Sequence, residues 1–369
     1  MNPREQVRSI ALFAWGGPAG RGVLTAAGSI AQREGWVVRM ESTSGRVGLG
    51  EATPLSELRG GVTGQATLDA LRAARDFPRP SFESFEQVAA WLTNFDGLVN
   101  AARFGFETAL LDLLAQSRSR SLAAELTADF APSFYCTHLL GALASPTLEA
   151  RARAARDLGY RALKLKVGPS DLEQASERLA HLRNFVGAEM RLRVDCNGAL
   201  SADEFESLVP ALAAAEIEFV EEPCALEPES EARRRAWAAA GLRLFVDESL
   251  SLLGATAMDS PAVCGVVLKP SLLGGLLPAR AFAKAAHERG LEIVVSHAFE
   301  GPIALAAMRE LACALAPGDL PQGLEQHAGL TSFTNEAPSL AATMHAGTAS
   351  GLGANDPTHR LHEVERWTF

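Results

Sequence analysis

A parallel β/α barrel preceded by a smaller α+β unit is the fold class this sequence predicts, on three observations. From about residue 134 onward, short apolar runs alternate with amphipathic stretches, the pattern of repeated strand–helix units. At 369 residues the chain exceeds one ordinary domain, so a large unit with a smaller companion is expected. The glycine-rich phosphate loop that marks an open doubly wound sheet has no counterpart after the first strand of this series, where Leu140 to Ala144 reads Leu-Gly-Ala-Leu-Ala.

Taken in order, residues 7–15 and 35–41 read as strands. The second places Trp36, Val38 and Met40 on one face and Val37 and Arg39 on the other. Ser44-Gly45 turns the chain into a third strand, 46–53, completing a meander. Helical patterns follow at 82–93 and 101–116, where Phe106, Leu110, Leu113 and Leu114 form one apolar stripe. Residues 1–128 are thus expected to form the α+β unit and 129–327 the barrel. The polar, Gly/Ala-rich residues 328–369 are expected to return to the first unit.

Barrel strands are predicted at 134–140, 162–167, 191–196, 218–222, 243–247, 263–269 and 292–296, with a weaker eighth at 322–325. Ser145-Pro146 reads as an N-cap followed by proline, and Ser170 with Glu173 and Ser201 with Glu204 match the capping-box spacing.

Composition excludes several classes. Hydrophobic residues make up 47% and charged residues 21%, ordinary for a soluble globular protein. With 34 basic against 44 acidic residues, net charge −10, the chain lacks the cationic stripe that nucleic acid requires. Arg233 to Arg235, and Arg151 with Arg153, read as solvated helix faces. Cys136, Cys196, Cys224, Cys264 and Cys313 form no close pairs, which fits reduced, buried thiols. No stretch is long enough to span a bilayer, and the first fifteen residues lack a targeting pattern. A cytoplasmic protein without membrane partners is expected; the oligomeric state stays open.

Chemistry enters where charges fall within the strands. Lys164 and Lys166 are two apart in Ala-Leu-Lys-Leu-Lys-Val, so one strand face carries both. In a barrel that face points inward; for the segment alone, an edge strand with a solvated lysine face fits equally well. Arg193, Asp195 and Asn197 alternate in the same way. Glu221, Asp247 and Lys269 each end an apolar run. From Lys166 to Asp195, Glu221, Asp247 and Lys269 the intervals are 29, 26, 26 and 22 residues. Each is about one β/α unit, so successive strands would deliver one charge apiece to the C-terminal rim, where barrel enzymes react.

Three carboxylates converging there would either take up protons or bind a cation. Oxygen ligands without a nearby His or Cys favour Mg²⁺, for which Mn²⁺ can substitute. Lysines beside such a cation lose basicity, and a neutral amine becomes available as general base for a proton α to a carboxylate.

Lys164-x-Lys166, Asp195-x-Asn197, Glu221-Glu222-Pro223, Asp247-Glu248-Ser249 and Lys269-Pro270 together resemble the enolase superfamily, in its muconate-lactonizing subgroup. Gly48-Leu49-Gly50-Glu51-Ala52 and Glu107-Thr108-Ala109-Leu110-Leu111-Asp112 are similar to signatures of its capping domain. The resemblance implies a TIM-like (β/α)7β barrel with an α+β capping domain, and Lys166 as acid/base with Lys164 as its electrostatic partner. It further implies Lys269 across the substrate, and Asp195, Glu221 and Asp247 as Mg²⁺ ligands. Asn197 would support the metal site, and a glycine-rich lid would correspond to 16–29.

Within the subgroup, Arg193-x-Asp195, Glu222-Pro223-Cys224, Lys269-Pro270-Ser271-x-x-Gly274 and Gly323-Leu324-Glu325 are similar to o-succinylbenzoate synthases. That likeness implies syn-dehydration of a cyclohexadiene carboxylate in menaquinone biosynthesis, with a small-molecule carboxylate as the partner. Arg193, Ser296 and Gly323 are candidate substrate or supporting residues. Ser296-His297 departs from the serine run frequent in the family, leaving His297 either a substrate contact or structural. N-acyl amino acid racemases, dipeptide epimerases and muconate cycloisomerases share the five charged residues. A Schiff-base aldolase using Lys166 or Lys269 and a silent binding module are the readings from other classes.

Overall fold

The computed structural model describes residues 6–18, 24–25, 28–55, 62–225, 231–334 and 338–369. Val7–Pro18, Gln32–Ser42 and Val47–Ala52 form the expected antiparallel meander. His362–Thr368 adds a fourth strand beside the first. That last strand is hard to read in sequence because it lies at the sheet edge, with Trp367 its one buried residue. Of the expected lid, Gly16 to Pro18 continue the first strand, and Leu24–Thr25 pairs with Gly28–Ser29. Residues 19–23 and 26–27 of that expectation lie outside the described residues.

Close approach explains the Gly-x-Gly of the third strand. A methyl group at Gly48 or Gly50 would overlap the carbonyl oxygens of Ala109 or Gly105, so only glycine lets the sheet lie directly on the helix Asn100–Ser117. This helix does not bury one stripe. Phe104, Phe106, Leu110, Leu111, Leu113 and Leu114 are all shut off from solvent, because the sheet, the helix Phe85–Leu92 and barrel helices surround it. A further helix, Gly64–Ala73, capped by Thr63, was not evident from periodicity.

The barrel follows in chain order. Seven parallel strands, Thr137–Ala142, Ala162–Lys166, Arg191–Asp195, Ile217–Glu221, Leu244–Val246, Val263–Leu268 and Glu292–Val295, neighbour one another consecutively. Gln322 and Gly323 close the ring. Gln322 bridges Cys136 beside the first strand, and Gly323 bridges Ser296 beyond the seventh. The backbone bonds Thr137 N to Gln322 O (2.9 Å) and Gly323 N to Val295 O (2.8 Å) seal the joint. A helix follows each of the seven strands, giving the (β/α)7β arrangement.

Three local expectations need correction. The run 134–140 is two strands, because Ser133–Tyr135 pairs antiparallel with Thr343–His345 before the chain enters the barrel. The helix after Ser145-Pro146 begins at Leu148, behind a Thr147 N-cap without a side-chain bond. At 168–174 it is Asp171, accepting from Gly168 N at 3.0 Å, and not a Ser170–Glu173 box that ties the turn. The Ser201–Glu204 box forms as read.

Below the rim, Phe219, Phe245, Val267 and Val294 fill the barrel. The two phenyl rings stack at 3.9 Å, and Gly265 leaves the space the Phe245 ring occupies. Among the described residues no helix is long and apolar enough to cross a membrane. All five cysteines are free. Of the arginines read as solvated, Arg234 is instead buried and paired with Glu231 at 2.8 Å.

Candidate active site

Parallel register builds the centre of the site. Lys166 pairs with Asp195, and Asp195 with Glu221. In-register residues on neighbouring strands lie about 5 Å apart and point the same way, so the three side chains form one row. Lys164 Nζ reaches Glu221 Oε1 and Oε2, both at 2.7 Å, and Asp195 Oδ2 at 2.8 Å. Lys166 Nζ donates to Asn197 Oδ1 at 2.6 Å and Asp195 Oδ2 at 3.2 Å. On the next strands, Lys269 bonds Asp247. The expected residues Lys164, Lys166, Asp195, Asn197, Glu221, Asp247 and Lys269 are therefore brought to one rim.

The turns after the strands are set by strained backbone and buried acids. Asn197 and Glu222 adopt φ of 47° and 41°, unusual for residues other than glycine. Asn197 N donates to Asp195 Oδ1 at 2.9 Å, and its side-chain amide to Glu248 Oε1 at 3.1 Å. Glu222 accepts from Asp247 N at 2.8 Å, from Ser249 N at 3.2 Å and from the Ser249 hydroxyl. It thereby fixes the turn that carries Asp247 and Glu248. Burial, with the neighbouring Glu248 charge, pushes Glu222 up to about 7.

Asp195 is held well below the usual carboxylate range. Burial alone would raise it, but the Lys164 and Lys166 ammoniums outweigh burial. The same balance lifts Lys164 and Lys269 above ordinary lysines, where Asp195, Glu221, Asp247 and Glu248 overcome the burial that would lower them. The reduced basicity expected of these lysines is thus opposed by the acids.

A cavity of about 520 Å³ opens over Lys164, Lys166, Asp195 and Lys269, with Ser296 and Gly323 in its wall. Glu221 and Asp247 are buried against Lys164 and Lys269 and do not line it. Ser296 donates to Gly323 O at 3.1 Å. Arg193 does not reach the cavity. It sits one layer lower, bonded to Glu218 and Thr137 at 2.6 Å each, with its guanidinium 4.6 Å above the Phe219 ring. Its inward position is as the alternation implied, and of the two roles left open for it the geometry is that of a supporting residue. His297 stands in the cavity wall with both ring nitrogens engaged by backbone, Nε2 with Glu325 O at 3.0 Å and Nδ1 accepting from Phe299 N at 3.1 Å.

Glu248 and Arg151 were not read as site residues, and Glu325 was read only within its motif. Glu248 starts a helix directly after the strand, so the period of two did not place it. Glu325 accepts from His138 Nδ1 at 2.6 Å and Leu139 N at 3.2 Å. Arg151, read as part of a solvated helix face, lines the cavity and donates to Leu139 O at 2.7 Å.

The donor set can be tested against a cation. Among the described residues no three acids stand gathered as a ready ligand group, since Lys164 and Lys269 lie between them. Yet Asp195, Glu221 and Asp247 are nearly inaccessible to solvent. Together with Glu248 they set four carboxylates against three ammoniums. Glu248 Oε2 is also buried without a partner. A surplus of buried hard oxygens suits a divalent cation such as Mg²⁺, and the residues present fit it.

Comparison with known proteins agrees. Residues 147–355 match the family model described as Enolase C-terminal domain-like. An o-succinylbenzoate synthase from Desulfotalea psychrophila is 31% identical over 258 residues, covering 69% of this chain and 68% of that protein. An L-Lys-D/L-Arg epimerase from Methylococcus capsulatus is 30% identical over 300 residues, covering 78% and 81%. A solved dipeptide epimerase from Methylococcus capsulatus, complexed with Mg and the dipeptide L-Arg-D-Lys, superposes with a TM-score of 0.79 at 26% identity over 94% of this chain and 99% of that one.

Proposed function

The chain belongs to the enolase superfamily, through the Enolase C-terminal domain-like family, and we propose that it removes the proton α to a substrate carboxylate as a Mg²⁺-dependent o-succinylbenzoate synthase. One observation carries the reading. Lys164, Lys166 and Lys269 open into a single cavity lined also by Asp195, with the buried carboxylates Glu221 and Asp247 bonded to two of those lysines. Asp195, Glu221 and Asp247 would hold the cation. When bound, it supplies positive charge against the dianion that forms as the C–H bond breaks.

This chain's own side chains do the rest. Asn197 and Asp195 aim Lys166 Nζ, which in its neutral form takes the α-proton. Lys166 then gives the proton to the departing hydroxyl on the same face. One C–H and one C–O bond break, a C=C bond forms and water leaves. Lys164, between Asp195 and Glu221, contributes fixed positive charge beside the substrate carboxylate. Lys269 stands over the ring, where a cation–π contact is available.

Similarity to o-succinylbenzoate synthases supports the dehydration, and so does the charge of the cavity wall. Three lysines and Arg151 face two acids, Asp195 and Glu325, which suits an anionic ligand better than a cationic dipeptide. The second reading is racemisation of an N-acyl amino acid, with Lys166 and Lys269 as opposed bases. It is favoured by the presence of both lysines in one cavity and by the likeness to an epimerase. Assay of o-succinylbenzoate formation, beside α-proton exchange in D₂O with N-acyl amino acids and dipeptides, separates the two. No product and no exchange with any of them, Mg²⁺ present, would end both.

A further inference from the structure

Arg151 lies in the first barrel helix, Leu148–Asp157, a position that by periodicity belongs on a solvated face. Its guanidinium instead folds back toward the barrel mouth. Nη2 donates to Leu139 O, and Leu139 is the register partner of Lys164 on the neighbouring strand. A β-bulge between Leu139 and Gly141 makes this possible, with Gly141 at φ 88°. Bulges re-aim backbone groups beside active sites. A side chain at Gly141 would press on Arg151 Nη1, at 3.3 Å from its Cβ, so glycine here both permits the bulge and leaves the guanidinium its space.

The guanidinium lacks an anionic partner. No carboxylate among the described residues is within ion-pair distance of Arg151. The acid that acts on its charge is Glu325, whose two oxygens are already committed to His138 and Leu139 N. The remaining N–H groups, Nε and Nη1, are free to donate. A half-buried guanidinium without a counter-ion is costly, and a planar fork of donors matches a carboxylate. Arg151 and the three lysines line the same cavity, so positive charge stands at two separate places in one chamber.

We infer that Arg151 is the receptor for a second anionic group of the substrate, so that the cavity selects dicarboxylates. One carboxylate would sit at the lysine rim next to the reacting carbon, and the other, at the end of a short chain such as a succinyl group, on the Arg151 fork. The inference rests on the proposed reading that the cavity takes an α-carboxylate, and it names the residue that reads the substrate's far end. Arg151 acts on affinity for the ligand and not on the C–H bond.

The test uses a matched pair, an N-succinyl and an N-acetyl derivative of one amino acid, with the Mg²⁺-loaded protein. Both α-proton exchange in D₂O and equilibrium binding by calorimetry are measured for wild type, Arg151→Met and Arg151→Lys. Wild type should bind the N-succinyl compound more tightly. Arg151→Met should weaken binding and raise KM for that compound by roughly 10- to 100-fold, the scale of a charge-assisted bidentate bond. It should leave kcat and all constants for the N-acetyl compound unchanged, and Arg151→Lys should recover part of the loss. A variant that weakens both compounds alike, or neither, overturns the assignment. If wild type exchanges no α-proton, the functional reading fails instead, and the binding arm still judges Arg151, because the N-succinyl preference either disappears in Arg151→Met or does not.

Discussion

Asp195 at the barrel rim and Glu107 at the seam beneath the N-terminal sheet are both carboxylates closed off from water, yet opposite partners surround them. Asp195 lies against two ammoniums. Glu107 accepts from the backbone amides of Leu276 and Leu277, at the start of the helix Leu276–Glu288, with Arg103 at 3.5 Å. Glu51 does the same at the next barrel helix, accepting from Gly301 N and from Ala304 N. Asp112 accepts from Leu49 N and Leu352 N, both at 2.9 Å. Amide dipoles only partly replace water. Burial therefore pushes Glu51 and Glu107 up to about 7 and Asp112 to about 6, while the rim lysines hold Asp195 down. Glu51 and Glu107 fasten the two units and titrate near neutrality; at the rim Asp195 is held charged by Lys164 and Lys166, while burial and the Glu248 charge raise its neighbour Asp247.

The largest expected effect breaks the rim alone. Lys166→Ala should lower turnover by about 10³-fold or more, the scale of losing a general base. The thermal midpoint should stay within a few degrees, since Lys166 spans no seam. Turnover and circular-dichroism melting of one preparation check this, and retained activity removes Lys166 from its role. Next comes Asp195→Ala. Removing this acid leaves Lys164 and Lys166 with one partner fewer, and calorimetric Mg²⁺ affinity should fall by at least about 10-fold along with turnover. Unchanged Mg²⁺ affinity would mean that the cation is held elsewhere.

The rim was legible in the sequence for a physical reason. A strand's period of two and the recurring length of a β/α unit convert position directly into direction, so Lys166, Asp195, Glu221, Asp247 and Lys269 could be placed without contacts. The meander and the Ser201–Glu204 box were equally local. The seam was visible only as short motifs around Glu51, Glu107 and Asp112. Their partners, Gly301 and Leu276 among them, lie 250 and 169 residues away, and no periodicity reports that distance. Arg151 and Glu248 escaped for a related reason. Helical spacing says which residues share a face, not which turn comes to stand opposite it. The split of 134–140 likewise depends on a pairing with 343–345 that local pattern does not contain.

A smaller effect sharpens the seam. Burial raises the folded-state pKa of Glu51 and Glu107 from the ordinary glutamate range near 4.5 to about 7. The stability they permit is therefore fully present below about pH 4.5 and is lost as the pH rises through about 7. Glu51→Gln should remove up to one proton from that linkage. It should flatten the fall in urea-unfolding free energy across this window by up to about 1.4 kcal/mol per pH unit. An unaltered slope would show that Glu51 is already ionised in the folded protein, and the contrast with Asp195 would then dissolve.

The smallest effect checks that the two regions are independent. Ser201 caps the helix Ala202–Ala214, just beyond the turn from Asp195 and Asn197 and far in sequence from the seam acids. Its hydroxyl accepts from Glu204 N at 3.3 Å while Glu204 accepts from Ser201 N at 2.7 Å. Ser201→Ala should cost about 1 kcal/mol of stability at neutral pH, the usual value of such a cap, and less in acid, because hydrogen bonds from Ser201 hold the Glu204 carboxyl below its ordinary range and are worth less once it is protonated. Mg²⁺ affinity and turnover should not move. If turnover falls with stability, the turn holding Asn197 depends on that cap, and the geometry that aims Lys166 extends one helix further than its direct hydrogen bonds.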